Sequence, residues 1–148
     1  MTTDTTTTDT ANGAAPKPGA PGSDAVAIAS LTQQVVAAWA YGDADGFAAV
    51  FTPDGTMILP GVFLTGQEAI RDYMAEAFAG VYQGTQVTGK PLAMRFLTPD
   101  VCLMLTMGGV LAPGESEPTP ESAIRASWLS VRTDDGWRLT AYQNTPRD

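Results

Sequence analysis

Apolar side chains recur along the first half of the chain at the spacing of helices. Between Asp24 and Ala40 they fall three or four residues apart, which predicts a first helix with Asp24 as its N-cap. Similar patterns predict a short second helix capped by Asp43 and a third helix after Gly66. Short strands are predicted among these helices at residues 56–59 and 62–64.

The second half of the chain predicts strands only. Residues 101–111 are apolar on both faces, as in a central strand that is covered on both sides, and Gly108–Gly109 predicts a bend within it. The other strands are predicted at residues 86–97, 122–132 and 137–144. This order predicts an α+β fold, a cone-shaped half-barrel whose curved antiparallel sheet packs helices on its concave face.

Composition fits one domain after a short tail. Hydrophobic residues make up 44% of the 148 residues, enough for a single core. Residues 1–23 are rich in Thr, Ala, Pro and Gly and lack aromatic side chains, so we predict a disordered tail there and a domain over residues 24–148. No stretch resembles a membrane span or a signal peptide, and the expected location is therefore cytoplasmic.

The net charge and the residue types limit the partners and the reaction mechanisms that the chain could have. The net charge of -8 disfavours nucleic acid and anionic membrane surfaces as partners. The absence of histidine excludes Ser-His-Asp and Cys-His mechanisms and leaves Asp, Glu, Tyr, Lys or water as acid or base. Cys102 lies in an apolar run and is predicted to be a buried, inert thiol. No metal and no cofactor is implied.

Four short motifs carry a family resemblance over residues 24–147. They are Gly42–Phe47, Phe51–Thr56, Gly66–Ile70 and Gly136–Leu139. In these motifs the chain resembles the nuclear transport factor two-like (SnoaL-like) superfamily, and the closing Tyr142–Thr145 looks most like its SgcJ/EcaC subfamily. That resemblance implies a homodimer and a role beside a polyketide synthase in enediyne antibiotic biosynthesis. The implied ligand is a hydrophobic polyene or polyketide intermediate.

Three residues are the candidates for catalysis. Gln143 shares a face of the last predicted strand with Leu139, so it is expected to point into the cavity, where it either orients a ligand or closes the rim of the sheet. Tyr73 lies on the apolar side of the third helix, as an oxyanion donor or, with slightly more weight, as a core tyrosine. Arg125 is expected near the cavity mouth, more as an ion-pair partner than as a substrate anchor.

Apolar side chains are expected to form the walls of the binding site. Trp128 is expected on the outer face of its strand, opposite the face that carries Arg125, and at the centre of a dimer interface. The favoured function is isomerisation or cyclisation of the ligand without a cofactor, and the alternatives are a non-catalytic carrier and a structural partner of a synthase. The candidate substrate-binding residues are Trp39, Met57, Leu59, Phe63, Met94 and Met107.

Overall fold

The computed structural model describes residues 21–148, so residues 1–20 of the predicted tail lie outside the described residues. Within that range, no helix has both the length and the apolar character that crossing a membrane requires. The helices are α1 (Pro21–Ala40), α2 (Ala44–Ala49) and α3 (Gln67–Ala79). The strands are β1 (Phe51–Leu59), β2 (Val62–Thr65), β3 (Gln86–Thr98), β4 (Val101–Leu111), β5 (Ala123–Thr133) and β6 (Gly136–Pro146).

The strands form one curved, six-stranded sheet in the order β2-β1-β6-β5-β4-β3. The sheet does not close into a barrel, and the helices pack on one of its faces, which confirms the predicted α+β fold. One pair departs from the predicted antiparallel arrangement, because β1 and β6 run parallel. Five elements, β2, α3, β3, β4 and β5, lie between these two strands along the chain, which provides the long connection that a parallel pair requires.

Irregular pairing lets the sheet curl. The register shifts between Phe51 and Thr56, so the predicted Pro53–Gly55 turn lies inside β1 as a bulge. At the predicted bend in β4, Gly109 has a φ of 157°, but the pairing of β4 with β3 and β5 continues through Gly108 and Gly109 without a register shift. At the neighbouring Gly108, a Cβ atom would collide with the carbonyl oxygen of Thr88, so a glycine there allows β3 to approach closely.

Helices and the concave face of the sheet enclose the hydrophobic core. Cys102 is fully buried in it, as predicted, and burial raises the pKa of its thiol. The Asp43 side chain accepts a hydrogen bond from the Gly46 amide, which confirms it as the cap of α2. Fully buried core side chains come from α1, α3 and three strands: Ile28, Ile70, Met74, Phe51, Met57, Met104 and Leu139.

The start of α1 is tied to the sheet by an ion pair. The helix begins at Pro21, so Asp24 is not its predicted N-cap but lies one turn inside it. The Asp24 carboxylate accepts hydrogen bonds from Arg132 Nη2 at 2.7 Å, Arg132 Nη1 at 3.1 Å and Trp137 Nε1 at 3.1 Å. Arg132 also reaches Asp100 through Nε at 2.8 Å. These contacts fix α1 over the sheet and so set one wall of the space beneath it.

Candidate functional site

A cavity of about 270 Å³ lies between α1 and the concave face of the sheet. Its innermost walls are apolar side chains that are at most 1% exposed: Phe51, Met57, Met74 and Leu139. Exposed lining residues gather at the other end, where β1 and β6 finish and β3 begins: Pro60, Thr88, Glu121 and Pro146. The cavity therefore has a closed apolar end and a mouth toward solvent.

Four side chains form a more polar part of the cavity wall, which we call the floor cluster: Thr106, Trp128, Tyr142 and Asn144. They come from β4, β5 and β6. The strand register places Trp128 beside Tyr142, and it places Thr106 and Asn144 on either side of Ala126. Because neighbouring residues in register share a face of the sheet, all four side chains stand on the concave side.

Hydrogen bonds join the floor cluster in two pairs. Trp128 Nε1 donates to Thr106 Oγ1 at 3.0 Å, and Asn144 Nδ2 donates to Tyr142 Oη at 3.0 Å. Asn144 Oδ1 is buried and has no partner among the described residues, and the same holds for Thr32 Oγ1 on the α1 side of the cavity. Buried polar atoms nearly always have a partner, and both residues line the cavity, so a ligand that donates a hydrogen bond to either oxygen would pair an atom that the described residues leave unpaired.

The phenols beside the cavity are held in their neutral form. Burial raises the pKa of Tyr142 to about 12, although the hydrogen bond from Asn144 acts in the opposite direction. Burial also raises the pKa of Tyr82, and the nearby Tyr73 phenol adds to that increase. The Tyr142 hydroxyl accepts from Asn144 and therefore keeps its own proton to donate.

Among the described residues that line the cavity, the only carboxylate is Glu121, which is exposed at the mouth. The interior thus offers apolar surface, hydroxyl donors and one free amide oxygen. It suits an apolar molecule with a polar group at one end, because such a molecule buries its hydrocarbon and pairs its heteroatoms. A hydroxyl donor such as Tyr142 can also polarise a carbonyl group of that molecule.

Three of the six candidate substrate-binding residues line the cavity, and three do not. Trp39, Met57 and Leu59 belong to its walls. Phe63 is 69% exposed on the edge strand β2, away from the cavity. Met107 pairs with Arg125 on the convex side of the sheet, and Met94 packs against the core from β3 without reaching the cavity.

The predicted inward orientation of Gln143 is wrong. Leu129 pairs with Ala141 but Ser130 pairs with Leu139, so Thr140 is an extra residue in β6. This bulge reverses the alternation beyond it, which exposes Gln143 and turns its two neighbours inward. Tyr142 and Asn144 are the residues that the sequence interpretation missed. The sequence does show that Tyr142 and Asn144 are two residues apart and so share a face of the strand. It does not show the bulge, because neither glycine nor proline marks it.

The predicted faces of β5 are also reversed. Trp128 is 5% exposed and lines the cavity, so it is not at the centre of an outer interface. Arg125 is exposed on the convex side, where its charge adds to the larger effect of Arg147 in lowering the pKa of Asp148, and it does not line the cavity. Tyr73 is half-buried against the core and lies beside Tyr82 rather than in the cavity wall.

The family of the chain follows from a match over nearly all of the described domain. The family model of the SnoaL-like domain matches residues 28–145, so the chain belongs to the SnoaL-like family. No curated protein matches the chain.

Solved structures with the same architecture come from several bacteria. A domain of unknown function with a cystatin-like fold from Nostoc punctiforme is 28% identical, with a TM-score of 0.81 over 87% of this chain and 80% of that one. An NTF2-like protein from Novosphingobium aromaticivorans is 19% identical, with a TM-score of 0.73 over 84% and 82%. An uncharacterised protein from Caulobacter vibrioides is 21% identical, with a TM-score of 0.72 over 84% and 90%. These likenesses support the NTF2-like fold.

Proposed function

We propose that this SnoaL-like domain binds a small hydrophobic ligand in the cavity. The observation that carries the proposal is a cavity with a closed apolar end and a few uncharged polar groups in its wall, from the floor cluster and Thr32. Sequestering an apolar molecule there removes its surface from water, and that burial supplies the main driving force for binding.

The volume of the cavity limits the ligand. An apolar cavity of about 150 Å³ holds one benzene molecule, so a space of 270 Å³ suits a ligand with on the order of ten non-hydrogen atoms. A longer chain would have to extend through the mouth between Pro60 and Glu121. The cavity is therefore suited to one end of a long molecule or to a compact cyclic one.

We further propose, from the resemblance of Tyr142–Thr145 to the SgcJ/EcaC subfamily, that the ligand is a polyene or polyketide intermediate of enediyne biosynthesis. Cyclisation or isomerisation is the second candidate function. The neutral Tyr142 hydroxyl favours it, because that group can stabilise charge developing on a carbonyl oxygen. Co-expression with a polyene-forming synthase separates the alternatives: a new product indicates catalysis, and a higher yield of the same polyene indicates a carrier.

We also propose that two copies of the chain pair through the convex face of the sheet, as the family resemblance implies. Leu103, Leu105 and Leu129 lie side by side there on β4 and β5, and Leu105 is 39% exposed. Apolar side chains in neighbouring register form a continuous patch of the kind that homodimer interfaces bury. This face takes the place of the predicted interface around Trp128.

Filling the cavity tests the binding proposal. Val36 lines the cavity from α1, whereas Val26 of the same helix is 62% exposed. We expect Val36→Phe to weaken the binding of cumene by at least about tenfold, because the added ring occupies the ligand space. Binding is measured by NMR titration of the Trp128 indole N–H resonance. Val26→Phe is the matched control and should bind cumene like the original chain; equal affinity in both variants would refute the proposal.

A further inference from the structure

The floor cluster presents a hydrogen-bond donor beside an acceptor. Tyr142 Oη accepts from Asn144 Nδ2 at 3.0 Å, which leaves the phenolic proton directed elsewhere. On the same side chain, Asn144 Oδ1 is buried and has no hydrogen-bond partner within residues 21–148. A free proton and a free lone pair therefore stand within a few ångströms of each other, two residues apart on one face of β6.

A ligand must match both groups to avoid an energetic loss. A hydrocarbon leaves the Asn144 oxygen unpaired, and a simple ketone pairs with the Tyr142 proton but still leaves that oxygen unpaired. A carboxylate brings a negative charge against a carbonyl oxygen in a buried site where no described lining residue carries a positive charge. A neutral group with a carbonyl next to an N–H or O–H satisfies both partners at once.

We propose that Tyr142 and Asn144 are specificity residues that select an uncharged ligand whose polar end is a carboxamide or a similar carbonyl with an adjacent N–H or O–H. The carbonyl oxygen accepts from Tyr142, and the N–H or O–H donates to Asn144 Oδ1. The remainder of the ligand lies against the apolar end formed by Met57, Met74 and Leu139. This inference rests on the proposed function, since it concerns the same cavity.

Four probes of equal heavy-atom count test it: cumene, acetophenone, benzamide and benzoate. Each has one phenyl ring and a three-atom end group; the planar end groups of acetophenone, benzamide and benzoate differ in hydrogen bonding and charge, and the isopropyl group of cumene makes no hydrogen bond. We expect Asn144→Leu to weaken the binding of benzamide about tenfold and to change the affinities for cumene and acetophenone by less than about twofold. Benzoate should bind at least about tenfold more weakly than benzamide. Affinities come from NMR titration of the Trp128 indole resonance.

A matched control and a second variant keep the outcomes apart. Gln143→Leu makes the same change at the neighbouring exposed position and should alter no affinity. Tyr142→Phe removes the donor to the ligand and also the acceptor of Asn144 Nδ2, and we expect it to weaken the binding of acetophenone and benzamide by similar factors and to leave the binding of cumene unchanged. Unaltered cumene affinity shows that a variant is folded, and Asn144→Ser replaces Asn144→Leu if that affinity is lost.

The outcomes separate this inference from the proposed function. If the original chain does not bind cumene or any other probe, the proposed function fails and the inference fails with it. If the chain binds cumene but Asn144→Leu weakens all probes equally or none, only the inference is overturned. Benzoate bound as tightly as benzamide would overturn the selection of an uncharged ligand.

Discussion

Asp24 is a buried carboxylate whose partners lie 108 and 113 positions away along the chain. The local pattern around it predicts an N-cap, because an acidic residue precedes an apolar helical repeat. The structure instead uses its charge to hold α1 against Arg132 and Trp137. Local sequence indicates a helix start in this region, but it contains no information about so distant a partner.

The Asp24 ion pair should make stability depend on pH. Its hydrogen bonds from Arg132 lower the pKa of Asp24 below the ordinary value of 3.8, and burial acts in the opposite direction. The carboxylate therefore stabilises the fold above that value, and the contribution is lost as the pH falls through the lowered pKa. We expect Asp24→Asn to reduce the free energy of unfolding by about 2 kcal/mol at pH 7 and by clearly less at pH 2.5.

The control for that prediction uses the other carboxylate on the same arginine. Asp100 also accepts from Arg132, but its side chain is 69% exposed. Exposed ion pairs contribute little, so Asp100→Asn should cost less than about 1 kcal/mol at pH 7 in the same urea denaturation series. A cost of Asp24→Asn that is the same at both pH values would show that its charge does not stabilise the fold.

At the scale of helices and strands, regular patterns are enough to predict an element but not always its faces. The bounds of β4, Val101–Leu111, agree with the prediction because an uninterrupted apolar run is bounded by turn residues. In β6 the prediction of a strand is equally good, yet the bulge at Thr140 reverses every side chain beyond it. One unmarked residue thus decides whether Gln143 or Asn144 belongs to the site.

The residues of the cavity wall could likewise be predicted only where their helix or strand is regular. Trp39, Met57 and Leu59 lie on regular stretches of α1 and β1, so their positions could be predicted from spacing. Phe63 lies on the edge strand β2, where an alternating pattern does not distinguish a covered face from an exposed one. The polar groups of the floor cluster depend on pairing among β4, β5 and β6, which one strand's sequence does not specify.

On the scale of the whole molecule, the sheet has two apolar faces with different roles. The concave face encloses the cavity, and the convex face carries the leucines of β4 and β5. We expect Leu105→Asp to convert a dimer into a monomer in light scattering, because it places a charge in the apolar patch. Val26→Asp, on the helical side of the molecule, should leave the mass unchanged. A dimer that survives Leu105→Asp would exclude this interface.

The methyl groups of the methionines report most directly on whether the cavity holds a ligand. Met57 and Met74 are each 1% exposed and line the closed end, whereas Met107 lies on the convex face. In a sample with labelled methionine methyls and bound cumene, we predict nuclear Overhauser contacts from cumene to Met57 and Met74. Met107 should show none. Contacts to Met107 alone, or an absence of contacts at both inner methionines, would contradict ligand binding within the cone.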